Sequence, residues 1–182
     1  SYFDKIPQED FPMNNIILIG MPGCGKSTIG VVLAKNLGFR FIDSDLLIQE
    51  QEHRLLHEII EQDGLDGFNR IENQVNASID TDSSVIATGG SVVYGHEAMA
   101  HLKEIGTVLY LKLPETELQK RLGDLNQRGV AIKEGQSLHS LYQERIPLYE
   151  KYADITIDCS GREIRDCVSE INRLLRSTTD IL

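Results

Sequence analysis

The run Gly20-Met21-Pro22-Gly23-Cys24-Gly25-Lys26-Ser27-Thr28 sets three glycines, a lysine and two hydroxyls at fixed offsets, more than a tight turn requires. Glycines let consecutive backbone N–H groups point inward around a polyphosphate, and a helix that follows aims its positive end at the same anion. Gly-x4-Gly-Lys-Ser is the phosphate-loop pattern. Gly23, Cys24, Gly25 and Thr28 belong to the cradle, Lys26 reaches the β- and γ-phosphates, and the Ser27 hydroxyl suits Mg²⁺. The stretch predicts binding of ATP with Mg²⁺ and leaves the acceptor open.

Phosphoryl transfer also needs charge neutralisation and a group to take the acceptor proton. Asp43 and Asp45 end an apolar run, two residues apart and on one side of a strand. The same residues also suit a helix N-cap. Thr88-Gly89-Gly90 ends another apolar run, where glycines admit a ligand against the backbone or simply form a tight turn. Arg121, Arg128 and Arg145 are candidate cations. An arginine on a lid can stabilise transferring charge. Arg145, near a proline expected to kink or restart its helix, equally suits an exposed ion pair with Glu144 or Glu150.

Positioning such groups takes strands feeding helices. Ile16–Ile19 reads as a buried strand, and Ile29, Val32, Leu33 and Leu37 fall at helical spacing before a stop at Gly38. Further strands are expected at 39–42, 84–88, 107–113 and 153–158. Helices are expected over 45–79, broken at Gly64 and Gly67, and near 95–105, 115–122, 137–151 and 163–176. Strand–helix alternation implies a parallel sheet in a three-layer α/β sandwich. Residues 1–14 read as an N-terminal extension or tag remnant, 15–176 as one domain with a lid at about 123–136, and 177–182 as a C-terminal tail.

The chain has 182 residues, 41% hydrophobic and 25% charged, as expected of a globular domain. Its net charge of −10 argues against nucleic acid and anionic membranes as partners. Three cysteines without metal-ligand spacing, and no long apolar run, point to a cytoplasmic protein. A monomer is the expected state.

In order, GMPGCGKST, FIDSDLLI, TGG, arginines seven apart, RIPLY and YADITID make the chain resemble the shikimate kinase family, from about Asn15 to Leu175. The resemblance implies a P-loop fold of the nucleoside monophosphate kinase type, with strand order 2-3-1-4-5 and an acceptor-binding subdomain at about 45–80. It implies ATP-dependent phosphorylation of shikimate, in aromatic amino-acid biosynthesis. It implies that Asp45 binds acceptor hydroxyls and takes the proton, and that Asp43 holds Mg²⁺ through water. Gly89 and Gly90 would line the acceptor pocket and Arg145 would pair with the acceptor carboxylate. Arg121 would lie near the adenine and Arg128 at the phosphates.

The sequence departs from the family at three places. Phe68-Asn69-Arg70-Ile71-Glu72 has asparagine where the family has a carboxylate-binding arginine. On a helical wheel Asn69 lies about 100° from Phe68, on the flank, and Arg70 about 200°, on the far side. Losing one of two arginine clamps weakens acceptor binding by about 1.5–3 kcal/mol. Ser91 stands where the family usually has a third glycine, and Gly129 where it usually has proline, which loosens the lid. These departures keep alternatives in view. One is a kinase of another hydroxy acid or hydroxy amino acid, of gluconate or homoserine type, in which Glu72 would meet an ammonium group. The other is a non-catalytic nucleotide-binding module.

Overall fold

The computed structural model describes residues 15–122, 130–131 and 133–177. Arg128, Gly129 and most of the expected lid lie outside them.

Strand β1 (Asn15–Ile19) is buried at every position, as an apolar run flanked by helices on both faces must be. Helix α1 (Lys26–Leu37) turns its Ile29 and Leu33 onto the sheet and ends where Gly38 adopts φ 70°. Strand β2 (Arg40–Asp43) leads into α2 (Ser44–Glu52) and α3 (Leu56–Ala77). Strand β3 (Ser84–Ala87), a 3₁₀ turn (Val92–Tyr94) and α4 (His96–Ile105) come next. Then follow β4 (Gly106–Lys112), α5 (Glu115–Arg121), α6 (Leu138–Tyr152), β5 (Ile155–Asp158) and α7 (Ile164–Ser177).

The strands pair in parallel in the order β2-β3-β1-β4-β5. Neighbours of β1 therefore lead away to opposite sides, and the crevice beyond its carboxyl end is where such sheets hold ligands. Asn15 locks the other end. Its Nδ2 donates to the Thr81 and Ile105 carbonyls at 2.9 Å each, and its Oδ1 accepts from the Ser84 N–H at 3.0 Å.

Two hydrophobic clusters form. The larger lies on the sheet, around Ile17, Leu18, Val85 and Leu109; the smaller joins Ile48, Ile59, Phe68, Val75 and Ala131 around α2 and α3. A separate small core lets α2 and α3 pack as a unit beside the sheet.

Two expectations are corrected. Gly64 interrupts α3 with φ 74°, ψ 174°, but Gly67 stays helical. A Cβ at Gly67 would stand 2.8 Å from that of Asp63, so the residue is small for packing and breaks nothing. Pro147 does not restart the chain as a separate helix, since α6 runs through it from 138 to 152. The carbonyl deprived of its N–H partner belongs to Gln143, which is exposed and open to water.

Candidate active site

The phosphate loop sits between β1 and α1 with Gly23 at φ 78° and Gly25 at φ 100°, conformations that a side chain would strain. Gly25 at the N-cap of α1 has no side chain to cap it and no acidic residue occupies the first turn, so the leading N–H groups are suited to an anion. Lys26, only 8% exposed, folds back along the loop and donates to the Gly20 and Met21 carbonyls at 2.7 and 2.9 Å. Cys24 is buried with its Sγ 3.7 Å from the Lys26 Nζ. Ser27 and Thr28 are exposed on the cavity wall. Arg121, exposed at the end of α5, reaches the Gly23 carbonyl at 3.4 Å, on the same rim of the cavity.

That cavity, about 600 Å³, runs from the loop to α2, α3 and the Thr88–Ser91 turn. Asp43 takes the N-cap role that its position allowed and also meets Ser27. One oxygen caps α2 by accepting from the Asp45 N–H at 3.0 Å, and the other accepts from the Ser27 hydroxyl at 3.4 Å. Ser27 and Asp43 offer a hard cation two oxygen ligands beside the phosphate cradle, which suits Mg²⁺, an ion that completes its shell with phosphate oxygens and water.

Asp45 faces the cavity. Burial and then the neighbouring Asp43 carboxylate push its pKa up to about 6, against the pull of Lys26. Glu72, 2% exposed, lies beside it, and burial pushes its carboxyl up to about 7. Gly89 makes room for both acids. A Cβ there would stand 2.7 Å from Glu72 Oε2 and 2.8 Å from Asp45 Oδ1. Glu72 Oε1 accepts a 2.6 Å hydrogen bond from Ser91, while Oε2 has no partner among the described residues.

Arg145 is not the exposed ion-pair residue that its sequence neighbours allowed. It is 1% exposed, donates from Nη2 to the Ala131 carbonyl at 2.6 Å and lies 5.4 Å over the Tyr94 ring. Its Nε is buried without a partner among the described residues, and its guanidinium lines the cavity beside Gly90. A permanently charged fork in that position is well suited to an anionic group of a ligand.

Lys26, Ser27, Thr28, Asp45, Gly89, Gly90, Arg121 and Arg145 thus meet around one cavity. Asn69 does not join them. It sits on the flank of α3, off the cavity lining, with its Oδ1 buried and unpartnered among the described residues, and Arg70 is exposed. Arg128 falls outside the described residues. Tyr149 was not anticipated. Its hydroxyl donates to the Gly90 carbonyl at 2.6 Å while its ring stacks on Tyr110 at 5.1 Å, fixing the Gly89–Ser91 turn on the cavity wall. The signal was available, because Tyr149 follows Arg145 by four residues and shares its helix face.

Comparison with known proteins agrees with this geometry. The family model for shikimate kinase matches residues 22–176. A shikimate kinase of Clostridium botulinum is 39% identical over 165 residues, covering 89% of this chain and 97% of that protein. One of Synechococcus is 37% identical, covering 92% and 86%. Among solved structures, a shikimate kinase from Acinetobacter baumannii in complex with shikimate matches with a TM-score of 0.78 at 30% identity, covering 91% of this chain and 94% of that one. That of Aquifex aeolicus matches at 0.76 and 28%, covering 91% and 98%. A small-molecule kinase on a five-stranded parallel P-loop fold, the chain belongs to the shikimate kinase family.

Proposed function

We propose that this chain transfers the γ-phosphoryl group of ATP to a hydroxyl of shikimate. The observation that carries the reading is the meeting of Lys26, Asp45 and Arg145 on one cavity of about 600 Å³, with the anion cradle at one end and the buried arginine at the other. The nearest support for the acceptor is the shikimate held by the Acinetobacter baumannii relative.

In this reading the loop N–H groups and Lys26 hold the phosphates, with Lys26 leaving the Gly20 and Met21 carbonyls to meet them. Arg121 lies against the nucleotide. Ser27 and Asp43 would hold Mg²⁺, which supplies charge neutralisation on the phosphate oxygens. Arg145 pairs with the acceptor carboxylate, and Gly89 and Gly90 let the ring lie against the backbone. Asp45 orients the reacting hydroxyl. As the hydroxyl oxygen bonds to phosphorus and the bond to the ADP oxygen breaks, the hydroxyl proton passes to the Asp45 carboxylate. A pKa near 6 leaves that carboxylate mostly ionised at neutral pH yet basic enough to take a proton.

The test is ADP release measured with shikimate, gluconate and homoserine as acceptors. Turnover is expected with shikimate alone. Turnover of homoserine without shikimate would transfer the assignment to an amino-acid acceptor whose ammonium group meets Glu72. Nucleotide binding with no turnover of any acceptor would leave only a binding module.

A further inference from the structure

Glu72 is an unusual wall for a pocket that is to take an anion: a fully enclosed carboxylate with one oxygen bound and one free. Its own helix brings it no cation, since Asn69 lies one turn earlier and Arg70 is exposed. The charged groups that face it come from other elements: Asp45 from α2, Arg145 from α6 and Lys26 from α1. Lys26 and Arg145 are already engaged by backbone carbonyls. Glu97 of α4 is turned instead toward the Asn73 amide, at 3.0 Å. Among the described residues the direct donor to Glu72 is therefore Ser91.

Ser91 occupies the N-cap position of the 3₁₀ turn, where a serine ordinarily accepts a bond from the turn's own N–H groups. It makes no such bond. Its hydroxyl points across to α3 and donates at 2.6 Å, with both side chains buried. Of the departures from the family, Ser91 thus bonds the Glu72 carboxylate, and Asn69 stands three residues before Glu72 on the same helix.

We propose that Ser91 is the positioning residue for Glu72: its hydroxyl does for this chain what an arginine at position 69 would do, holding Oε1 so that Oε2 faces the acceptor beside Asp45. A carboxylate fixed at one oxygen presents the other in a defined direction and accepts a hydroxyl of the ring that Asp45 does not hold. A hydroxyl differs from a guanidinium in one respect, since it orders the carboxylate without neutralising it. Glu72 therefore keeps a proton affinity near neutrality, and acceptor binding follows its ionisation.

Three variants test this: Ser91→Ala, Ser91→Thr, and Asn69→Arg combined with Ser91→Ala. Kinetics are measured across pH, and Glu72 is titrated directly through its carboxyl carbon by NMR. Ser91→Ala is expected to raise the acceptor KM about tenfold, with the ATP KM within about twofold of the parent. It also moves the Glu72 titration, and the acid limb of kcat/KM, to higher pH, because a donor that favours the carboxylate is gone. Ser91→Thr restores both. Asn69→Arg restores acceptor binding in the Ser91→Ala background and moves the titration below that of the parent. An unmoved Glu72 titration in Ser91→Ala, or equal impairment by alanine and threonine, would overturn the proposal. Failure of Asn69→Arg to restore binding would overturn the exchange. The kinetic readouts rest on the acceptor reading above, whereas the titration needs no acceptor. A protein inactive on shikimate with a shifted titration therefore refutes that reading and leaves this one standing.

Discussion

The two ends of the cavity are built differently. At the nucleotide end the cradle is backbone from one contiguous stretch, and Lys26 rests on two carbonyls of that same stretch. At the acceptor end the groups are side chains drawn from α2, α3, the 89–91 turn and α6. There, among the described residues, Glu72 Oε2 and Arg145 Nε are buried without partners. A backbone cradle recognises any polyphosphate and tolerates variation in its flanks. Buried unpartnered side-chain atoms each carry a desolvation cost until a matching group arrives, which makes that end the seat of discrimination.

Breaking the nucleotide end has the largest consequence. Lys26→Ala is expected to lower kcat by about 10³-fold while the thermal midpoint moves by only a few degrees. A small loss of turnover would remove the lysine from the chemistry.

At the acceptor end the next effect is on stability. The folded pKa of Glu72 is raised from 4.5 to about 7, so its neutral form is favoured in the fold. Its contribution is fully present below pH 4.5 and is lost as pH rises through 7, and Asp45 acts in the same direction between 3.8 and about 6. Glu72→Gln should therefore be more stable than the parent at pH 8 relative to pH 5, by on the order of 3 kcal/mol across that window. Urea midpoints at the two pH values measure it, and identical pH dependence in both proteins would contradict the assignment.

Arg145→Lys keeps the charge but loses the fork, and is expected to raise the acceptor KM about thirtyfold, or about 2 kcal/mol, with the ATP KM little changed. Ser137→Ala gives the smallest effect. Ser137 caps α6 by accepting from the Ser140 N–H at 3.1 Å, away from the cavity. Its loss should lower stability by about 1 kcal/mol and leave both KM values unchanged. A shift in acceptor KM there would mean that the start of α6, and not only Arg145, belongs to the acceptor end.

The same contrast explains what was legible in the sequence. The phosphate loop reads directly because its chemistry lies in nine consecutive residues. The sheet reads from runs such as Ile16–Ile19, whose continuous apolarity admits little other than a doubly covered strand. The acceptor end reads only in parts. Asp45 and Gly89 stand out at strand ends, but the Ser91–Glu72 bond spans 19 residues and the Arg145–Ala131 bond 14, and no local periodicity encodes either. The position of Asn69 off the lining follows from helix phase. Whether Arg145 would be surface or core could not be read from its charged neighbours, because enclosure comes from Tyr94 and Ala131 on other segments.

Asn15 carries a consequence for alignment. Its side chain ties the start of β1 to the chain entering β3 and β4, at the edge of the sheet remote from the cavity. Parallel strands that start flush and rise equally per residue also finish flush, so the cradle after β1 and the Thr88 turn after β3 emerge at matching heights. One amide thus reinforces the register of strands that carry a reaction centre it never approaches.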